Sequence, residues 1–165
     1  MRVAFFSDIH GNLPALEAVI ADARAHGATH VIGLGDTVGY GPQPAEALAL
    51  LRSVASAGVL GNHDAAACGL LNPALFNPFA RETAERAALA LPEEDKAWLR
   101  ALPYIVEGDG FACAHGSFDA PESFRYLETK EDAALSLGAA PDVPLLVVGH
   151  THIPCAFLRD TPGAC

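Results

Sequence analysis

"VAFFSDIHGNLPALEAVIADARAHG", residues 3–27, shows in one segment how this chain is built. Val3 to Phe6 are apolar and read as a buried strand, and the polar SDIHGN after them reads as a turn. Leu16, Val19, Ile20 and Ala23 then recur at i, i+3, i+4 and i+7, the stripe of an amphipathic helix. Asn12 suits its cap, Pro14 its first turn and Gly27 its stop. A strand thus passes into a helix through a turn that carries Asp8 and His10.

The same unit follows again. Residues 29–34 (THVIGL) are a short apolar strand ending in Gly-Asp. The loop TVGYGPQP leads into a second amphipathic helix near 44–57, with Leu48, Leu51 and Ala55 on one side and Gly58 after it. Val59 and Leu60 form the next strand and enter GNHD. Alternating strands and helices at this spacing predict an α/β fold with a parallel sheet. Residues 65–80, uncharged and broken by Asn-Pro pairs, read as a loop with short helical turns. Helices follow over 81–91 and 92–102, the second with acids first and Arg100 last, as the helix dipole favours. A hairpin around Gly-Asp-Gly spans 104–116, and Thr129 with Asp132 opens a helix as a capping box. PLLVV (144–148) reads as a buried strand and PCAFLRD (154–160) as one more. No internal repeat or linker interrupts the chain.

Composition narrows the class. The chain of 165 residues, 51% apolar and 18% charged, is expected to form a single domain over 1–165. A net charge of −10 argues against non-specific binding to nucleic acid or to an anionic membrane surface, but leaves room for an anion at a locally positive site. Cys68, Cys113, Cys155 and Cys165 form no C-x-x-C pair. The first residues read as a strand and not a signal peptide, and no apolar run approaches the roughly 20 residues of a membrane span. A soluble, cytoplasmic protein is the expectation.

The strand ends carry the chemistry. Asp8 and His10 follow the first strand, Asp36 the second, and Asn62, His63 and Asp64 the third. His115 follows FACA, and His150 and His152 follow PLLVV. Ligands of open α/β sheets bind outside the carboxyl ends of the strands, where glycine permits tight turns and close approach. Asp, Asn and neutral His without thiolate suit divalent transition metals. Seven such groups exceed one tetrahedral site but suffice for two ions sharing a carboxylate, and ions roughly 3.5–4 Å apart suit phosphoester hydrolysis. Taken singly, each motif is commonplace; their order on successive strand ends is not. His26 and His30, near a helix end and a strand start, read as structural or solvated. On an extended chain the paired histidines of GHTH point the same way.

The blocks SDIHGN, GLGDTVGYG, LGNHD, CAHGS and GHTHIP, in this order, resemble the calcineurin-like metallophosphoesterases, most closely their small bacterial and archaeal phosphodiesterase branch. The resemblance covers residues 3 to about 158 and implies a four-layer α/β/β/α sandwich, incomplete at its C-terminus because the chain stops at DTPGAC. It further implies that Asp8, His10 and His152 hold one metal and Asn62, His115 and His150 a second, with Asp36 bridging. His63 would face the phosphate and act as the catalytic residue at the departing oxygen, with Asp64 positioning its loop. The cofactors would be two divalent ions, manganese, iron, zinc or nickel, with manganese favoured. They would leave a net charge of about +1 inside an acidic protein and activate a bridging hydroxide for in-line attack.

Leu60 stands where serine/threonine phosphatases of this family carry arginine before G-N-H, which favours a phosphodiester or small phosphoester over a dianionic monoester. Arg125 is a further cation that the sequence does not place. Phosphomonoesterase or nucleotide pyrophosphohydrolase activity would present the same motifs. A non-catalytic scaffold of the same fold would be expected to show eroded ligands, whereas all seven positions are ligand-capable here. The short C-terminus predicts an exposed second sheet, hence a homodimer or reduced stability. Specificity is expected from the loop at 40–44 and the stretch 65–80, with Tyr40, Phe76 and Phe79 placed either to stack on a base or to pack.

Overall fold

The computed structural model describes residues 1–158. Strands β1 (Val3–Phe6), β2 (His30–Gly33) and β3 (Ala57–Gly58) form a parallel sheet in that order, with Val3 opposite His30 and Ile32 opposite Ala57. Their connections are helices α1 (Leu13–Ala25) and α2 (Pro44–Val54). Asn12 caps α1 as expected, its side chain accepting from the Ala15 N–H. A second sheet contains β4 (Ile105–Gly108), β5 (Phe111–Ala114) and β6 (Leu145–Val147). β4 and β5 are the expected hairpin, and β6 joins β5 in parallel after helix α6 (Lys130–Ala139). The capping box of Thr129 and Asp132 is present at its start.

Side-chain alternation along the strands produces the layers. Val3, Phe5 and Ile32 of the first sheet, with Val59 just past β3, meet Val106, Phe111, Cys113 and Val147 of the second, forming the central core. Phe6 and Val31 point the other way, under Leu16 and Ile20 of α1 and Ala47 and Leu51 of α2. Ala112, Ala114 and Leu146 face outward from the second sheet, beneath Phe118, Ala140 and Val143. Ser136 of α6 accepts a hydrogen bond from the Phe118 N–H at 2.9 Å and ties that helix down. The result is the four-layer α/β/β/α sandwich. Helices α3 (Asn62–Ala67), α4 (Pro78–Ala90) and α5 (Glu93–Arg100) close one flank around Leu48, Leu60, Leu91 and Leu99.

Several local expectations change. Val19 is 44% exposed because α1 rests on the sheet through Leu16 and Ile20, one turn apart, and its apolar stripe is narrower than the sequence pattern. α2 stops at Val54, since Ser56 already donates to Val31 O at 2.8 Å and Gly58 lies within β3. The third strand lies at Ala57–Gly58 and not at Val59 and Leu60, and Asn62 opens α3 after Gly61, its extended cap. Among the described residues β6 is an edge strand, and its Leu145 is 49% exposed where a buried residue is expected. Residues 154–158 form no strand, and residues 159 and 160 of that expected element lie outside the described residues.

Candidate metal centre

All the parallel strands deliver their carboxyl ends to one place. Asp8 and His10 leave β1, Asp36 leaves β2, Asn62 and His63 open α3 after β3, His115 follows β5, and His150 and His152 follow β6. Backbone bonds lock these turns together. Asp8 N–H donates to Gly35 O, His10 N–H to Asp36 O and Gly149 N–H to His115 O, all within 2.8–3.1 Å. The first and second sheets are then stitched by the Asp8 carboxylate, whose Oδ2 accepts from the His150 N–H at 3.0 Å.

Five of these residues, Asp8, His10, Asp36, His150 and His152, have φ between 50° and 71°. Left-handed backbone in a non-glycine residue costs roughly 1–3 kcal/mol and persists where the surroundings over-determine it. Here it turns consecutive side chains toward a common point. It also corrects the extended reading of GHTH: His150 turns inward to Asp36 and His115, whereas the exposed His152 reaches Asp8 and His10.

The resulting ligand atoms form overlapping groups, each within 4.8 Å: Asp8, His10 and His152; Asp36, His115 and His150; and His10, Asp36 and His63. Asn62 Oδ1 lies 3.1 Å from His115 Nε2. Every residue singled out as a ligand from the sequence thus comes to this centre, and so does His63. His26 pairs with Asp22 on the surface, and His30 contacts Thr29 away from it.

Hydrogen bonding selects the lone pairs. His10 Nδ1 donates to Val38 O at 3.0 Å, leaving Nε2 as an acceptor 3.1 Å from His152 Nε2 and 3.8 Å from both Asp8 Oδ1 and Asp36 Oδ2. His115 Nδ1 donates to Leu34 O at 2.7 Å and turns Nε2 toward Asn62 Oδ1, His150 Nδ1 and Asp36 Oδ2 at 3.1–3.3 Å. Carbonyl partners of this kind orient histidine ligands. So many acceptors facing one another, inside protein, need positive charge between them.

The titration behaviour expresses the same need. Burial opposes a charged His115, but the Asp36 carboxylate beside it prevails and lifts its pKa to about 9. Burial alone would raise Asp36, yet the surrounding His115, His63 and His10 hold it well below the ordinary carboxylate range. His150 is pushed down to about 4 by burial and by His115. His63 is pushed down to about 4, chiefly by burial. Its Nδ1 is enclosed, has no hydrogen-bond partner among the described residues and packs on Gly39, where any Cβ would collide with it. The donor set, its orienting carbonyls and its demand for charge fit divalent cations.

Further residues pack around the centre, among them Asp64, which was expected to position its loop. Ser7 Oγ donates to Asp8 Oδ2. Tyr126 stacks on His150 with centroids 3.8 Å apart, Tyr40 meets His10 edge-on at 4.6 Å, and Phe76 covers His63 at 4.9 Å. Asp64 is fully buried and accepts from Val38 N–H at 3.1 Å, holding the loop after Asp36; burial and Asp36 raise its pKa to about 7. Arg125 is held by Asp119 and Asp132 at 2.6 and 2.8 Å, a structural role that brings Tyr126 to its place.

A two-sheet sandwich whose strand ends gather Asp, Asn and His in this way defines a metal-binding protein of the phosphoesterase type. The chain belongs to the calcineurin-like phosphoesterase family, whose model matches residues 1–154. It is 34% identical over 98% of its length to the uncharacterized protein MJ0912 of Methanocaldococcus jannaschii, covering 65% of that protein. It is 28% identical to the phosphodiesterase YfcE of Escherichia coli K12, over 96% of this chain and 73% of that one. The crystal structure of a metallophosphoesterase from Sphaerobacter thermophilus superimposes with a TM-score of 0.80 and 41% identity, over 93% of this chain and 62% of that one. A hypothetical protein of Pyrococcus horikoshii, at TM-score 0.75 and 21% identity over 92% of this chain and 70% of that one, shares the fold. The chain thus spans somewhat under two thirds of the first of these relatives in sequence and in structure. No helix among the described residues is long and apolar enough to cross a membrane.

Proposed function

We propose that the protein is a dinuclear metal-dependent phosphodiesterase. The carrying observation is the pair of ligand groups that meet at Asp36, Asp8–His10–His152 on one side and His115–His150 with Asn62 on the other. Divalent cations at such a pair polarise phosphoryl oxygens and lower the pKa of water toward neutrality. Asp36 would be the carboxylate that both ligand groups share, kept ionised by the imidazoles around it. Asp8 bears on both halves, through its contact with His152 and its bond from the His150 N–H. With Nδ1 enclosed, His63 has Nε2 left for a substrate oxygen, and it donates a hydrogen bond where negative charge grows on the departing group. Fixed dipoles in a partly enclosed site stabilise that charge with little reorganisation.

Preference for diesters rests on two placements, together with the resemblance to the E. coli phosphodiesterase. Leu60 is buried in the flank core, and Arg125 is engaged by two carboxylates, so neither clamps a second phosphate charge. Manganese is the first ion to try, since an N/O ligand set accepts several. The test is hydrolysis of bis-p-nitrophenyl phosphate by chelator-stripped protein, before and after Mn²⁺, with Asn62→Ala alongside. Activity that returns with metal and is lost in the variant supports the reading. Silence of the folded protein across manganese, iron, zinc and nickel refutes it, and faster turnover of p-nitrophenyl phosphate refutes the diester preference.

A further inference from the structure

The centre is walled on one side by aromatic rings that the metal ligands do not require. Tyr40, in the left-handed region at φ 49°, lies 4.6 Å from both the His10 and the His63 ring centroids. Phe76, at the end of the turn after α3, tilts over His63 at 4.9 Å. Phe79, in the first turn of α4, stacks on Tyr40 at 5.7 Å and 27°, yet remains 64% exposed. Tyr40 is half-buried, and Phe79 continues the wall from it outward into solvent. A shallow cavity of about 100 Å³ adjoins Tyr40, lined also by Pro42, Thr83, Arg86 and Ala87.

An exposed phenylalanine stacked on a tyrosine beside a polar centre gains little from folding, because most of its ring stays in water. It offers a flat π-face one ring beyond the groups that would meet a phosphate. We infer that Tyr40 and Phe79 form the specificity subsite for a planar aromatic group, such as a nucleobase, carried by the phosphoester, with Phe76 as its inner edge. This rests on the proposed phosphoesterase centre and names the class of substrate it takes. Stacking needs no hydrogen-bond readout, so the subsite accepts different bases and discriminates chiefly against substrates that have none.

The probes are AMP and ribose 5-phosphate, which share a phosphate and a ribose and differ in the base. Calorimetric affinities are measured for the Mn²⁺-loaded protein, and ring protons of AMP are followed by saturation-transfer NMR on the metal-free protein. AMP is expected to bind about ten-fold more tightly than ribose 5-phosphate, the scale of one stacked base. Phe79→Ala and Phe79→Leu are expected to collapse that ratio toward one, and Phe79→Tyr to preserve it. Phe79 is largely exposed, so these variants test stacking with little risk to the fold. Equal binding of the two probes, or a ratio indifferent to Phe79→Ala, overturns the subsite and leaves the phosphoester centre standing. Failure of both probes to bind overturns the subsite as stated, and the bis-p-nitrophenyl phosphate assay then decides the phosphoester centre by itself.

Discussion

Gly61→Ala should damage the centre out of proportion to its single added methyl. Gly61 precedes α3 with φ −96° and ψ 167°, a conformation open to any residue, so no backbone strain is involved. The cost is steric: a Cβ there would run into the backbone nitrogen and Oδ1 of Asp36, far closer than real Cβ atoms approach any heavy atom. Asp36 is 1% exposed, and its Oδ1 also accepts from the His63 N–H at 2.8 Å, so it cannot retreat without losing that bond. Overpacking of this kind costs about 1–3 kcal/mol, which for a chain of this size lowers Tm by roughly 2–12 °C. Displacing a carboxylate of the centre should also weaken Mn²⁺ binding about 10–100-fold, the range for disturbed ligand support. Gly138→Ala in α6 is the control: its Cβ meets nothing within 4 Å, and it should stabilise by about 0.5–1 kcal/mol. Differential scanning fluorimetry and Mn²⁺ calorimetry on both variants decide the matter. A Gly61→Ala protein with the parent's Tm and Mn²⁺ affinity would refute the packing of Asp36 beneath Gly61.

Two further perturbations probe the scaffold. Asp132 is held below the ordinary carboxylate range, first by its Thr129 hydrogen bond and also by Arg125. A depressed folded pKa means that its stabilisation is complete above the unfolded value and is lost as pH falls through the folded one. Asp132→Asn should therefore lower Tm at pH 7, with the gap to the parent narrowing toward pH 3; a gap constant with pH contradicts this assignment. Burial pushes the Cys113 thiol up to about 12 and raises Cys68 as well, while Cys155 is exposed. Iodoacetamide at pH 8 with peptide mapping should modify Cys155 in the native protein and reach Cys68 and Cys113 only after denaturation. Rapid native labelling of Cys113 would mean that the contact between the sheets opens readily.

Apolar period and turn chemistry made most of the fold legible in the chain. β1, α1 with its Asn12 cap, the hairpin of β4 and β5, and the Thr129–Asp132 box depend on neighbours in sequence, and local rules suffice for them. Where an element's extent depends on partners far along the chain, the pattern misleads. α2 ends early because residues 56–58 are taken by the β2 edge, Val19 is left in solvent because α1 packs through Leu16 and Ile20, and Leu145 is exposed because β6 has one neighbour among the described residues.

The centre divides in the same way. Asp8, His10, Asp36, Asn62, His63, His115, His150 and His152 were visible because a parallel sheet must send its strand ends to one edge, so residues distant in sequence become neighbours by topology. Their orientation was not visible. The left-handed turns that separate His150 from His152 are imposed by backbone bonds between loops, such as Gly149 to His115, and not by local preference, which opposes them. The same holds for Phe76, Phe79 and Tyr126, which stand in segments without a motif, and for Tyr40, whose place in the GLGDTVGYG block says nothing of what its ring touches. Aromatic residues pack or bind according to what lies beside them, and only the packing of loop, turn and helix around His63 and His150 put these rings at the centre. Sequence alone thus determined which groups could do chemistry, because ligand type is a property of the residue; the tertiary structure decided which lone pairs face one another, because direction is a property of the surroundings.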